Sequence, residues 1–369
     1  MACSMAPFDA RQKKLRNLIR KAKADALLVT NHYNVTYLTG FTGEDSFLLV
    51  TQDAATLISD RRFTIQLAEE CPGLDLVLRE PGQMMLPTTC EVVEQQGIER
   101  LAIESDSMTV AMQQAIAEGL AGVRFVLSSG WVENLRTIKD KTEIDATRLA
   151  CWQAAKAFKA TRAMLRPETS EREVAAELEY QARRFGAKRL SFPPIVAVGP
   201  RAALPHAPPT DRQIGESDFT LIDWGADSGL YASDLTRMVV TGRLSPKFEK
   251  IYQVVLEAQL AAIAAIKPGA NCEAVDKVAR DVIDAAGYGK YFGHGLGHGT
   301  GLEIHEAPRF ARGQDQVLLE PGMIVTVEPG IYLPDWGGIR IEDDILVTKT
   351  GHEVLTDVPK QLEDCCLDL

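Results

Sequence analysis

The sequence predicts two domains of different fold class, an α/β domain over residues 1–140 and an α+β domain over residues 141–369. Up to about residue 140, short apolar strands alternate with helical segments, as in α/β domains. Beyond it, long amphipathic helices and hairpin-linked strands favour an antiparallel sheet covered on one face by helices. The segment GWVENLRTIKDKTEID (130–145) is polar and carries charges of both signs, so the domain boundary is expected there.

In the first domain, apolar runs and their spacing define the elements. A helix is predicted over residues 9–24, because Leu15, Leu18 and Ile19 fall on one side of it. The segment NHYNVTYLTGFTG (31–43) contains turn residues and is interpreted as the connection between the first two strands. A second helix is predicted near residues 86–97. The predicted strands are ALLVT (26–30), SFLLVT (46–51), TLIS (56–59), LDLVLRE (74–80) and LAIES (101–105).

In the second domain, start and stop signals define the helices. Ser170 and Glu173 form a capping box, and Pro167, Gly186 and Pro268 stop the helices that precede them. The predicted helices are residues 142–165, residues 170–186, the segment from Ser245-Pro246 to the residue before Pro268, and residues 272–289. The predicted strands are FTLIDWGA (219–226), LYASDLTRMVV (230–240), MIVTVEPGIYL (323–333) and GIRIEDDILVT (338–348).

Composition excludes several classes of function. The formal charge of −11 and the pI near 5.2 argue against nucleic acid or an anionic membrane as the main partner. No apolar run approaches the roughly 18–20 residues that cross a bilayer, and MACSMAPFDARQKKL has no apolar signal-peptide core. The seven cysteines show no C-x-x-C spacing, which argues against a disulfide framework or a zinc ribbon. We therefore expect a reducing, cytoplasmic location.

Two aspartates are predicted to face each other in FTLIDWGADSGLYASDLTRMVV (219–240). If Ser228-Gly229 forms the tip of a tight hairpin, Asp223 lies directly opposite Asp234, with Cβ atoms roughly 4.5–5.5 Å apart. Two bare carboxylates at this distance repel each other, so they require a shared proton or a cation between them. The alternative is a register that differs by one or two residues and leaves two solvated aspartates.

A second carboxylate pair belongs to the last predicted hairpin. In GIRIEDDILV, Arg340 and Glu342 alternate with Ile339 and Ile341, so one face is charged and the other apolar. Glu328 follows the apolar strand MIVTV directly. A buried carboxylate there must be paired or bound to metal, and an ion pair with Arg340 is the alternative to metal.

Three of the six histidines lie in the glycine-rich stretch YFGHGLGHGTGLEIHE (291–306). His294 and His298 are four residues apart, but the surrounding glycines exclude the H-E-x-x-H helix of zinc proteases. The segment Leu302–His305 is predicted to be a strand that directs Glu303 and His305 to the same side. A phosphate-binding loop is the rival interpretation, but no Lys-Ser/Thr follows. Histidines combined with four candidate carboxylates favour a metal centre.

Four carboxylates and one imidazole together offset the charge of two divalent ions. Oxygen-rich ligation with one nitrogen suits Mn²⁺, Co²⁺, Fe²⁺ or Zn²⁺ better than a metal that prefers thiolates. Two such ions about 3.5–4 Å apart generate a hydroxide nucleophile and stabilise both sides of a hydrolytic displacement.

The motifs also match a known family in their order along the chain. LIDWGA, ASDLTR, HGLGHGTGLEIHE, TVEPGIY and GIRIEDD resemble the motifs of the pita-bread metallopeptidases, most closely those of the Xaa-Pro aminopeptidases and Xaa-Pro dipeptidases (prolidases). NVTYLTGFTG and the first 140 residues resemble the creatinase/prolidase-type N-terminal domain. The similarity covers the whole chain, so it implies this N-terminal domain followed by a pita-bread catalytic domain.

The resemblance implies a role for each matching residue. Asp234 and Glu342 would bridge two metal ions. Asp223 would complete the coordination of one ion, and His298 and Glu328 that of the other. Glu328 would also help to move a proton. The second set of matching residues would contact the substrate or stabilise the oxyanion, and comprises His206, His294, His305 and Arg340. The family also implies a homodimer, short peptides with proline in second position as substrates, and manganese as the favoured metal.

Other members of the superfamily are less consistent with the sequence. Methionine aminopeptidases lack the N-terminal domain, and creatinase, a hydrolase of a small substrate, lacks the metal carboxylates. A non-catalytic pita-bread module that binds peptide or protein would have lost ligands, whereas all five are present here. The choice between dipeptidase and aminopeptidase stays open, with a slight preference for aminopeptidase or mixed activity.

Overall fold

The computed structural model describes residues 6–367, with side chains from residue 7 onwards. The chain forms two compact units, of which the first ends at Arg136 and the second begins at Thr137. The first helix that lies wholly in the second unit begins at Lys141. Within the described residues, none of the helices combines the length and the apolar character that crossing a bilayer requires.

The first unit contains a mixed sheet with strand order β4-β3-β2-β1-β5-β6. β1 pairs with β2 in antiparallel and with β5 in parallel orientation, and the pairs β3–β4 and β5–β6 are parallel. Its strands are β1 Ala26–Val29, β2 Phe47–Thr51, β3 Ala55–Asp60, β4 Asp75–Arg79, β5 Arg100–Glu104 and β6 Arg124–Ser128. Its helices are α1 Ala6–Lys21, α2 His32–Thr39, α3 Thr64–Glu70, α4 Met85–Gln95, α5 Val110–Gly119 and α6 Trp131–Arg136.

The segment predicted to be a loop after β1 is the helix α2, and the prediction was wrong there. The Asn31 side chain accepts a hydrogen bond from the Tyr33 N–H and caps the helix, and Gly40 ends it with a φ of 82°. Six of the eight residues of α2 are buried, so tertiary packing stabilises a helix that is too short to be stable alone. The turn residues of this stretch are the caps of a helix.

The second unit contains the remaining helices and strands. Its helices are α7 Lys141–Met164, α8 Glu171–Arg184, α9 Pro246–Ala265, α10 Cys272–Ala285 and α11 Leu362–Cys365. Its first strands are β7 Arg189–Leu190, β8 Ile195–Val198, β9 Phe219–Trp224, β10 Ala226–Asp227, β11 Leu235–Val240 and β12 Gly297–Gly299. The later strands are β13 Glu306–Phe310, β14 Ile324–Val327, β15 Gly330–Leu333, β16 Gly337–Arg340, β17 Asp343–Val347 and β18 His352–Val354.

Antiparallel sheets dominate the second unit. One has the order β11-β9-β8 and another the order β13-β12-β14-β17-β18, while β15–β16 and β7–β10 form two-stranded pairs. All of these pairings are antiparallel. Together with the helices they confirm the predicted α+β class.

The three-stranded sheet differs from the prediction because helices cover both of its faces. Leu221 and Met238 pack in one apolar cluster with α9 and α10. Ile222 and Trp224 pack in a second cluster with α7 and α8. Trp224 stacks on Phe158 of α7, with ring centroids 4.3 Å apart. Since successive side chains of a strand point to opposite faces, a strand such as β9, in which all six residues are buried, is covered on both sides.

Candidate metal centre

The five predicted metal ligands come from separate parts of the second unit. Asp223 lies in β9, Asp234 just before β11, and His298 in β12. Glu328 lies between β14 and β15, and Glu342 between β16 and β17. All five line one cavity of about 850 Å³, and so do the other predicted site residues, His206, His294, His305 and Arg340.

The predicted register of the aspartate hairpin was wrong by two residues. Asp223 pairs with Thr236, because the turn lies one residue further along the chain, at Gly229-Leu230. Asp234 lies beyond the end of this ladder, two residues before Thr236. A shift of two residues keeps side chains on the same face of a sheet, so both carboxylates still point into the cavity.

Asp234, His298 and Glu342 form the tightest group of potential ligands. One ligand atom from each of these residues lies within 4.8 Å of the others. His298 Nε2 is 3.6 Å from Asp234 Oδ2 and 3.5 Å from Glu328 Oε1. Both distances are long for hydrogen bonds, but two atoms that bind one ion at about 2.1 Å lie roughly 3.0–3.5 Å apart. The spacing therefore fits ligands of a cation.

The imidazole of His298 is oriented for ligation through Nε2. Its Nδ1 lies 3.0 Å from the carbonyl oxygen of Gly299, which accepts the ring N–H. This contact leaves the lone pair on Nε2, the atom that faces the carboxylates. The strand is held close to its neighbour, because a Cβ on Gly297 would lie 2.1 Å from the Thr326 carbonyl oxygen. Glycine at 297 therefore allows β12 to bring His298 into the cavity.

Asp223 is held by Arg340 and has one free oxygen. Arg340 Nη2 lies 2.5 Å from Asp223 Oδ2. The ion-pair partner of Arg340 is therefore Asp223, whereas the alternative considered from the sequence was Glu328. The other oxygen, Oδ1, is buried, and no described residue donates a hydrogen bond to it. Buried polar atoms are normally satisfied, so an unpaired carboxylate oxygen facing other carboxylates fits a cation site.

The carboxyl groups of the cavity raise one another's pKa. Burial and the charges of Glu342 and Asp223 hold the pKa of Asp234 well above its usual value. Burial and the charges of Glu328 and Asp223 do the same to the pKa of Glu342. Burial raises the pKa of Glu328 to about 8, with Arg340 opposing the shift. Without a cation, the folded protein therefore holds protons on these groups to higher pH than the unfolded chain does.

The histidines are shifted in the opposite direction. Burial lowers the pKa of both His294 and His298 to about 4. Burial and the nearby Arg309 charge also lower the pKa of His305. All three imidazoles are therefore neutral near pH 7, the form that binds metal or donates a single N–H.

A chain of hydrogen bonds links Arg340 to His294. Arg340 Nη1 donates to the Tyr332 hydroxyl at 2.9 Å, and this hydroxyl lies 2.9 Å from His294 Nε2. His294 Nδ1 lies 2.7 Å from the carbonyl oxygen of Gly295. With Nδ1 protonated, the Tyr332 hydroxyl donates to Nε2, so every group in the chain has a partner.

Two further residues of the site were missed in the sequence. Thr236 Oγ1 donates to Glu342 Oε2 at 2.6 Å and accepts from Arg340 Nε at 3.0 Å. Tyr332 lines the cavity and connects Arg340 with His294. Strand periodicity contains a signal for Thr236, which lies two residues after Asp234 and therefore on the same face. The motif TVEPGIY includes Tyr332, but only the fold shows its partners.

His305 and His206 lie on the wall of the cavity rather than among the buried carboxylates. Both are exposed, and His206 follows a short 3-10 turn over residues 199–203. The strand predicted over Leu302–His305 was wrong, because residues 301–305 form a bend and β13 begins at Glu306. The His305 ring nevertheless reaches that of His298, with centroids 4.5 Å apart.

Comparisons with known proteins show the family of both parts of the chain. Residues 145–349 match metallopeptidase family M24, and residues 11–138 match the creatinase/prolidase N-terminal domain. The chain belongs to metallopeptidase family M24. The resemblance seen in the motifs is thereby confirmed, together with the order of the two domains. As a peptidase of M24, a metallopeptidase family, the protein is expected to use divalent metal.

Relatives of this M24 chain match it over nearly their whole length. An Xaa-Pro dipeptidase of Pyrococcus horikoshii is 36% identical over 96% of this chain and 99% of its own. The structure of an Xaa-Pro dipeptidase from Bacillus anthracis has a TM-score of 0.93 and 40% identity, and covers 98% of this chain and 100% of that chain. An X-Pro aminopeptidase from Thermotoga maritima gives a TM-score of 0.86 with 34% identity, covering 93% and 98%.

Proposed function

We propose that this M24 peptidase hydrolyses the peptide bond between an N-terminal residue and a following proline, with two divalent ions bound in the cavity. One observation carries the proposal. Five potential ligands from distant parts of the chain line one cavity, where an oxygen of Asp223 lacks a partner and the other carboxyls repel one another. Relatives named Xaa-Pro dipeptidase and X-Pro aminopeptidase, at 34–40% identity, support the choice of bond.

The donor set fits two ions of intermediate softness. We assign Asp223, Asp234, His298, Glu328 and Glu342 as the ligands, because they provide oxygen donors and one imidazole nitrogen. This chemistry suits Mn²⁺, Co²⁺, Fe²⁺ or Zn²⁺, with Mn²⁺ as our first choice. Bound there, the ions would act as Lewis acids and lower the pKa of water enough to supply a nucleophile near pH 7.

The remaining residues of the cavity position the peptide and move protons. Glu328 Oε1 lies 3.5 Å from His298 Nε2 at the edge of the ligand group, where its carboxylate would be placed to accept and return a proton. His305 would donate an N–H to the carbonyl oxygen that becomes negative during the reaction. His294, whose two ring nitrogens already contact the Gly295 carbonyl and the Tyr332 hydroxyl, would orient the substrate. His206, on the same wall, would orient the substrate.

We further propose that dipeptides are preferred over longer peptides. Arg309 lines the cavity and lies opposite His298 in the ladder between β12 and β13. Its guanidinium provides a fixed positive charge that suits the C-terminal carboxylate of an Xaa-Pro dipeptide. In a longer peptide this carboxylate is replaced by an amide and the charge pair is lost. The sequence motifs alone slightly favoured aminopeptidase or mixed activity. A comparison of turnover with Gly-Pro and with Gly-Pro-Ala distinguishes these from a preference for dipeptides.

A pair of matched asparagine variants tests the metal and the function together. His298→Asn keeps an N–H donor near the Gly299 carbonyl but removes Nε2, whereas His352→Asn makes the same change where Nδ1 contacts the Ile266 carbonyl. We expect the wild type and His352→Asn to bind about two ions per chain and to cleave Gly-Pro. His298→Asn should bind less metal and lose turnover.

The outcome separates a peptidase from a non-catalytic binding module. Metal content is measured by mass spectrometry after dialysis with Mn²⁺, and turnover with Gly-Pro and Gly-Pro-Ala in the presence of Mn²⁺ or Co²⁺. A wild-type protein without bound metal favours the binding module. Absence of cleavage after Xaa-Pro with either ion would refute the proposed bond, and full activity of His298→Asn would refute the ligand assignment.

A further inference from the structure

A buried ion pair lies outside the cavity, between Lys139 and Glu306. Lys139 Nζ is 2.9 Å from Glu306 Oε2, and the two side chains are only 1% and 6% exposed. Lys139 falls between the ranges that match the two family models, residues 11–138 and 145–349, so neither match includes it. Lysine is rarely buried unless it is paired, so this contact constrains both partners.

The second oxygen of Glu306 closes the bend that carries His305. Glu306 Oε1 accepts the backbone N–H of Glu303 at 3.1 Å, and the N–H of Gly301 donates to the carbonyl oxygen of Glu303 at 3.0 Å. A Cβ on Gly301 would lie 2.6 Å from Glu306 Oε2. The carboxylate therefore fills the inner side of the bend, and it directly follows His305 in the chain.

Lys139 is itself fixed to the sheet. Its backbone N–H donates to the carbonyl oxygen of Gly322 at 2.9 Å, and the N–H of Gly322 donates to the carbonyl oxygen of Val347 at 2.9 Å. Val347 is the last residue of β17. The ion pair thus connects an irregular, glycine-containing bend to a regular sheet.

We propose that Lys139 is a positioning residue for His305. Through Glu306 it holds the bend over residues 301–305 in the conformation that sets the His305 ring against the His298 ring. The inference rests on the function proposed above, in which His305 contacts the substrate. The bend is held at its start by the Ala232 N–H, which donates to the Gly301 carbonyl oxygen at 2.8 Å, and at Glu303 by the Glu306 carboxylate, which restricts the backbone next to His305. Misplacement of such a contact by about 1 Å lowers turnover by roughly 100-fold.

The test removes both charges of the pair at once. Lys139→Met alone would leave Glu306 buried without its cation and destabilise the fold, so the main variant is the double change Lys139→Met with Glu306→Gln. Glutamine keeps the oxygen that accepts the Glu303 N–H. Lys139→Arg retains the charge and is the rescue variant. Lys141→Met makes the same substitution at an exposed lysine two residues away and is the matched control.

The first readout is the His305 ring itself, measured by ¹⁵N-edited NMR of the histidine side chains in full-length, metal-free protein. The ring signals of His305 are identified from their loss in His305→Ala. We expect them to shift in the double variant, to move back towards wild type in Lys139→Arg, and to be unchanged in Lys141→Met. Unchanged His305 signals in the double variant would overturn the inference, whatever the substrate of the enzyme.

The second readout is turnover of Gly-Pro in a double-mutant cycle with His305→Ala. The double variant should lower kcat/KM by about 10- to 100-fold, with the same division between kcat and KM as His305→Ala. In the His305→Ala background, the same double change should lower kcat/KM by less than about 2-fold, because the residue that it positions is already absent. An equally large fall in kcat/KM in both backgrounds would refute the inference. By contrast, a His305→Ala variant with full activity would refute the proposed role of His305, and the NMR result would still decide whether Lys139 positions its ring.

Discussion

Removal of the metal should make the stability of the protein fall as pH rises from about 6.5 to 8. The groups with raised pKa are carboxyls, and the folded protein keeps them protonated at pH values where the unfolded chain has released the protons. Stability falls with pH wherever the folded state binds more protons. Below pH 6.5 the effect is opposed by His294 and His298, whose pKa values of about 4 lie below the usual 6.5. At pH 6.5 the imidazoles of the unfolded chain are still half protonated, so the two histidines continue to oppose the carboxyls up to about pH 7.5, and above that only the carboxyls contribute.

Glu328 gives the magnitude of the effect. Its pKa is raised from 4.5 to about 8, so in the folded state it holds a proton through most of the window and half of one at pH 8. One pH unit corresponds to about 1.4 kcal/mol for each proton, so Glu328 alone costs roughly 1.6 kcal/mol, of which the two histidines offset about half. Asp234 and Glu342 act in the same direction. For a unit of this size, each 1 kcal/mol of lost stability lowers Tm by roughly 2–4 °C.

Differential scanning calorimetry of chelator-treated and metal-loaded protein at pH 6.5, 7.2 and 8.0 measures the effect. The metal-loaded protein should lose much less stability in this window, because bound cations replace the protons of their ligands and bind more tightly as these leave, so that the main remaining contribution is that of Asp344, whose pKa burial raises to about 7. The Glu328→Gln variant serves as the control, and its metal-free form should have a smaller slope. A metal-free wild type whose Tm is constant or rises between pH 6.5 and 8 would refute this account of the carboxyl cluster.

Three further changes have defined outcomes. Thr236→Val removes the hydroxyl that donates to Glu342 and should weaken metal binding by about 10- to 100-fold in a chelator competition, whereas Thr236→Ser should retain it. Arg309→Met should raise KM for Gly-Pro by roughly 10-fold or more and leave KM for Gly-Pro-Ala nearly unchanged, since only the dipeptide presents its carboxylate there. Phe158→Ala removes the ring stacked on Trp224 and should lower the free energy of unfolding by about 3–5 kcal/mol in urea.

Each of these expectations has a result that contradicts it. Equal metal affinity of Thr236→Val and Thr236→Ser would mean that the hydroxyl does not orient Glu342. A similar rise in KM for both peptides in Arg309→Met would refute the preference for a terminal carboxylate. A loss below about 1 kcal/mol in Phe158→Ala would show that the pocket collapses around the missing ring.

The sequence was sufficient for the long helices of the second unit and for the nine predicted residues that line the cavity, because both depend on local patterns, but it missed α2 in the first unit. The capping box at Ser170 and Glu173 is present as predicted and begins α8. The sequence was not sufficient where two interacting residues are distant in the chain. Lys139 and Glu306 are separated by 167 positions, and Thr236 and Glu342 by 106. Nothing in the local sequence around any of these residues identifies the other member of the pair.

The two errors near the site have different consequences, and the difference follows from strand geometry. The aspartate hairpin was misplaced by two residues, and a period of two returns every side chain to the same face. Asp223 and Asp234 therefore still face one cavity. The bend over residues 301–305 has no such period, because its backbone is not a strand. The direction of the His305 side chain then depends on the groups that hold the bend, which are the Ala232 N–H at Gly301 and the Glu306 carboxylate at Glu303. Both partners come from outside the bend, and Glu306 is in turn paired with the distant Lys139, so sequence spacing alone could not predict where His305 points.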